Sequence, residues 1–76
     1  VYGDLTVEYY PLNGKSFRVA ALNGLAVYTT IEKRYVNINL KVLPEMNLNE
    51  GTFKIKYSSR PGAKIQKVFA EAELSL

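Results

Sequence analysis

Residues 53–67, FKIKYSSRPGAKIQK, place Lys54, Lys56, Arg60, Lys64 and Lys67 in one short stretch that holds no acidic side chain. Cations at that density create a local positive field, and the chemistry it suits is the capture of phosphate, sulfate or carboxylate groups. The asymmetry is confined to this part of the chain: residues 51–67 carry +5, the remainder −2, and the whole chain +3. Two tyrosines join these cations as candidate binding residues. Tyr10 and Tyr35 share the parity of polar neighbours, so each should show solvent an apolar ring with a polar tip. A nucleic-acid platform on a β-surface interleaves its cations with exposed aromatics, whereas Phe53, Ile55 and Tyr57 take the parity opposite to Lys54 and Lys56. The solvated face of an ordinary hairpin, with lysines that discourage edge-to-edge association, accounts for the pattern without a ligand. That reading ranks first, a protein partner second, and nucleic acid or another polyanion third.

Catalytic chemistry finds little material. Histidine and cysteine are both absent, which removes the commonest general base, the commonest metal ligand and the thiolate nucleophile. Ser16, Ser58, Ser59 and Ser75 therefore have no base to activate them. Glu71 and Glu73 could in principle form an acid–base pair, but two carboxylates spaced i, i+2 on an exposed strand face read better as a solubility and edge-protection device. Glu45, Asn47, Asn49 and Glu50 offer hard oxygen ligands in one loop without the spacing of a calcium loop. Neither Asn13-Gly14 nor Asn23-Gly24 belongs to a phosphate-binding loop. The expectation is a protein without enzymatic activity, cofactor, metal or small-molecule substrate.

The elements that must position these residues are strands. The dominant period is two: Leu5, Val7 and Tyr9 alternate with Thr6, Glu8 and Tyr10, and Pro11, Asn13 and Gly14 close the segment. Phe17, Val19 and Ala21 oppose Ser16, Arg18 and Ala20 in residues 16–22, and Asn23-Gly24 then suits a tight hairpin turn. Residues 25–31, LAVYTTI, form a third strand ending at a turn in Glu32-Lys33-Arg34. Residues 35–43 alternate most cleanly, with Val36, Ile38, Leu40 and Val42 assigned to a buried face. After Pro44 and the polar stretch to Gly51, a fifth strand sets Phe53, Ile55 and Tyr57 against Thr52, Lys54 and Lys56. Arg60-Pro61-Gly62-Ala63 fits a type II turn, and a sixth strand follows within residues 64–75, with a β-bulge near Gln66-Lys67 if Ile65 is buried.

Six short strands in 76 residues indicate a single all-β domain, a small antiparallel β-sandwich of about six strands, with a small β-barrel as the alternative. Residues 40–57, LKVLPEMNLNEGTFKIKY, resemble the passage between the fifth and sixth strands of immunoglobulin-like modules, where a polar corner with a Gly leads into a strand that begins with an aromatic. The resemblance implies an immunoglobulin-like sandwich. The chain departs from the antibody pattern in lacking Cys and Trp, and Phe53 stands where a hydroxyl-bearing Tyr would close the corner. Forty-seven per cent apolar residues and nine aromatics suffice for one thin core. No run of about 18 apolar residues exists, so no membrane insertion is expected. The chain opens at Val1 without Met, as a mature chain or a module cut from a larger protein would. These features favour a non-catalytic structural or protein-interaction module, self-associating or bound to a protein partner, in an extracytoplasmic or cell-surface setting. A small β-barrel that binds nucleic acid through the basic hairpin is the alternative.

Overall fold

A computed structural model describes residues 1–27, 37–44 and 46–76. They form an all-β structure: one open antiparallel sheet of β1 (Tyr2–Tyr10), β2 (Phe17–Ala26), β3 (Thr52–Ser59) and β4 (Val68–Ser75), in the order β2-β1-β3-β4. The alternation read in residues 5–10 and 52–57 sets the faces. Val7, Tyr9, Phe53 and Tyr57 are buried, Leu5 and Ile55 half-buried, and Lys54 and Lys56 exposed on the other side.

The core is one-sided. Tyr9 lies at its centre at 1% exposure, with its ring centroid 5.5 Å from that of Phe17 and 5.4 Å from that of Phe53. Tilted rings at such separations add to the gain from burial alone. The Tyr9 hydroxyl donates to the carbonyls of Asn47 (3.0 Å) and Glu50 (2.7 Å), which ties the loop before β3 down onto the core. The hydroxyl that closes this corner thus comes from β1, in the neighbourhood where the sequence offers Phe53. Gly51 makes the approach possible. Its φ is +96°, and a Cβ there would lie 2.7 Å from the Tyr9 hydroxyl and from the Tyr10 carbonyl oxygen. Tyr57 works similarly at the far end of the face, donating to the carbonyls of Leu25 and Val1.

Asn23-Gly24 is not a hairpin turn. Both residues lie inside β2, where Gly3 pairs with Leu25 and Leu5 with Leu22, so two residues of β2 oppose Asp4 in a β-bulge. Gly24 takes φ +76° and donates its N–H to Asp4 Oδ1 at 2.9 Å. The left-handed conformation that the dipeptide favours is used, but within a ladder that keeps β1 paired along its whole length. A second bulge at Val19 reverses the expected parity beyond it. Val19 and Phe17 point to the core, but Ala20 rather than Ala21 pairs with Val7, and Ala21 is exposed.

Residues 37–43 also depart from expectation. They form no strand; Ile38 packs on the core, whereas Leu40 and Val42 are 41% and 62% exposed. Among the described residues one backbone bond, from Lys41 N–H to the Val19 carbonyl at 2.8 Å, holds the segment near β2. Among the described residues no second strand satisfies the ladder that this alternation would need, and Ile38 and Met46 pack on the core. Of the strand expected over residues 25–31, Leu25 and Ala26 end β2, while residues 28–36, including Tyr35 and the turn at 32–34, lie outside the described residues. Glu45 does too. Among the described residues there are therefore four strands in one layer, where six in a sandwich were expected.

The turn at Arg60-Pro61-Gly62-Ala63 forms as read, with Ala63 N–H donating to the Arg60 carbonyl at 3.2 Å and Gly62 at φ +88°. β4 begins at Val68, four residues into the expected strand, and Ile65 is 77% exposed. The bulge on this strand lies instead at Phe69, between the pairs Tyr57–Ala70 and Ser58–Val68. It turns the Phe69 ring toward Tyr57, with centroids 5.3 Å apart. Gly3 is needed beneath it, since a Cβ there would run into the Ser58 carbonyl and the Phe69 ring.

Candidate functional site

The uncovered polar face of the sheet carries the side chains that the sequence singled out, and the strand register determines their neighbours. Glu8 pairs with Arg18 on one side and Lys54 on the other, and Lys54 pairs with Glu73. A row of alternating charge, Arg18, Glu8, Lys54, Glu73, therefore crosses all four strands. The next row sets Lys56 between Thr6 and Glu71. Lys54 Nζ is 3.6 Å from Glu73 Oε1 and 4.3 Å from the centre of the Tyr10 ring, while the Tyr10 hydroxyl donates to Glu8 Oε2 at 3.1 Å. These groups line a shallow depression bounded by β1 and β4. Cross-strand pairs of opposite charge are mildly stabilising, and with Lys54 half-exposed the Lys54–Glu73 pair contributes little beyond register.

The basic stretch is thus divided in space. Lys54 and Lys56 sit among three carboxylates, those of Glu8, Glu71 and Glu73. Arg60 is committed elsewhere: its Nε lies 3.2 Å from Asp4 Oδ1, its Nη1 donates to the Tyr2 hydroxyl at 3.1 Å, and its guanidinium covers the Tyr2 ring at 5.3 Å. Arg60 lies six residue steps beyond Lys54, just past the end of β3, roughly 20 Å of rise and more than a screening length at physiological salt. Lys64 and Lys67 are exposed in the loop beyond, where the Lys67 backbone is tied to Ser59 and Gln66 holds the turn through the Arg60 and Ala63 carbonyls. The structure brings Tyr10 to Lys54; it does not gather the five cations into one surface. One signal in the sequence anticipates this. Lys54 and Lys56 share the i, i+2 spacing of Glu71 and Glu73, and a hairpin through Pro61-Gly62 sets the two pairs opposite each other.

In the calcium-like loop, Asn47 Oδ1 accepts the Asn49 N–H at 3.0 Å, a local turn contact. Among the described residues no three acidic side chains are grouped to hold a metal ion. Nor does any described helix have the length and apolarity to cross a membrane.

The second notable feature is the outer edge of β4. Among the described residues no strand pairs with it. Leu76 N–H donates to the Gly51 carbonyl at 2.9 Å, and the two-residue alternation of an antiparallel ladder then turns the backbone of Leu74 and Ala72 toward β3. The N–H and C=O groups of Glu71, Glu73 and Ser75 point outward. Seven of the eight β4 residues are exposed, among them Val68 at 44% and Leu74 at 56%. The core-facing side chains of this strand, Ala70, Ala72 and Leu74, have nothing packed over them that excludes water. Compared with known protein families, curated proteins and solved structures, the chain shows no significant match.

Proposed function

We propose that this chain is a non-catalytic structural or protein-interaction module that recruits its partner by adding a strand to β4. The observation that carries the reading is the outer edge of β4, with outward backbone groups at alternate residues and apolar side chains in water on the core-facing side. An edge of this kind templates further pairing, and main-chain hydrogen bonds from an extended partner supply affinity. A thin core gains from the same event, because a partner strand would cover Ala72 and Leu74 and lengthen the layer. The two-layer, immunoglobulin-like form of the module belongs to this proposal as well. Ile38 and Met46 cover the part of the face around Val7 and Tyr9, and a partner would extend that cover toward β4. The alternating charges of the polar face give a polyanion no continuous positive surface, so the nucleic-acid reading has no observation in its favour.

The test is residue-resolved amide exchange of the chain titrated with extended nine-residue peptides that alternate apolar and polar side chains. Added protection at Glu71, Glu73 and Ser75 supports the reading. Protection at β2 instead, or at neither edge, contradicts it.

A further inference from the structure

We infer that the free edge of β4 selects a partner strand that is basic on one face: an extended segment with Lys or Arg at two positions spaced i, i+2 and apolar residues alternating with them. The inference rests on the strand-addition reading and specifies its partner. Glu71 and Glu73 point to the polar face and are exposed, and each has a lysine opposite it on the β3 side only: Lys56 and Lys54. On the outer side, among the described residues, neither carboxylate has a cation. The small side chains of Ala70 and Ala72 leave room on the opposite face for larger apolar residues of an incoming strand.

β3 is the internal template for that strand. Phe53, Lys54, Ile55, Lys56 and Tyr57 pair in order with Leu74, Glu73, Ala72, Glu71 and Ala70. A second antiparallel strand on the other side of β4 meets the same side chains in the same alternation. Cross-strand opposite charges favour it, and like charges directly opposite disfavour alternatives. A second copy of β4 is such an alternative. Two-fold pairing centred on Ala72 sets Glu71 opposite Glu73 of the second copy, and pairing centred on either glutamate sets it against itself. The β2 edge of a second copy is a poor occupant too, since Lys41 already donates to the Val19 carbonyl there and Arg18 is the one cation β2 carries. In the registers that pair β4 over most of its length the edge therefore disfavours its own kind and accepts a lysine-bearing strand, a selectivity achieved by repulsion as much as attraction.

The probe is a labelled peptide of residues 51–59, GTFKIKYSS, compared with the same peptide carrying Lys54→Glu and Lys56→Glu. The lysine peptide should bind the whole chain about tenfold more tightly than the glutamate peptide at low salt. High salt should erase the preference, a readout that needs no variant. The E71Q/E73Q chain, checked for folding by its amide spectrum, should bind both peptides within about threefold of each other. Equal binding of the two peptides to the wild-type chain would overturn the charge selection and leave strand addition standing. A preference retained in E71Q/E73Q would likewise overturn it. Binding of neither peptide, with no protection of Glu71 or Glu73, would overturn both.

Discussion

Tyr9 shows how one side chain can organise most of a small core. Its ring packs between Phe17 and Phe53 while its hydroxyl holds the 47–50 loop through two carbonyls. Tyr9→Phe keeps the ring and removes both bonds, and should destabilise the fold by about 1–2 kcal/mol. Tyr9→Ala removes the ring as well and should cost about 3–5 kcal/mol, enough to unfold a domain of this size. Urea denaturation of the two variants measures both, and a Tyr9→Phe variant as stable as the wild type would remove the loop contact from the account. The burial of Tyr9 was legible in the sequence from its parity with Leu5 and Val7. Its hydroxyl bonds were not, because their acceptors lie 38 and 41 residues away and depend on the turn that Gly51 makes.

At the level of the strands, period two identified both faces of β1 and β3 and the parity of Ala70, Ala72 and Leu74, while the bulge at Phe69 takes Val68 off that side and turns Phe69 inward; the Pro61-Gly62 turn placed the hairpin between the last two strands. It failed where a local signal had two structural uses. Asn23-Gly24 supplies a left-handed residue, and a bulge needs one as much as a turn does; only the pairing of Tyr2 with Ala26 decides between them. The alternation of residues 37–43 describes a strand that would need a ladder partner, and among the described residues the sheet gives it one backbone hydrogen bond. The basic stretch was visible as a run in sequence, but its acidic complement lies on the other arm of the same hairpin and on β1, so the charge pattern appears only once the register is known. The outward and inward backbone groups of β4 can be separated by proline. Glu73→Pro removes an N–H that points to solvent, whereas Ala72→Pro removes a ladder bond to β3. Ala72→Pro should therefore destabilise the domain by about 1–3 kcal/mol more than Glu73→Pro, and Glu73→Pro should abolish peptide binding while the fold persists. Equal destabilisation by thermal melting would show that both edges of β4 are hydrogen-bonded.

At the scale of the whole molecule, the described residues form a single four-stranded layer with five buried apolar side chains, one face charged, the other half-covered, and no described strand on the outer edge of β4. Within the basic stretch Lys54 and Arg60 are paired with Glu73 and Asp4, and part of the exposed apolar surface, Ile65, Val68, Leu74 and Leu76, lies along β4 and the loop before it. The proposed completion of the sheet by another chain rests on the open edge of β4. Amide hydrogen exchange along β4 in the free chain tests it most directly. The account predicts slow exchange at Ala70, Ala72 and Leu74, whose N–H groups face β3, and fast exchange at Glu71, Glu73 and Ser75. Uniform protection along the strand would mean that a partner segment already occupies the edge, and would contradict the account.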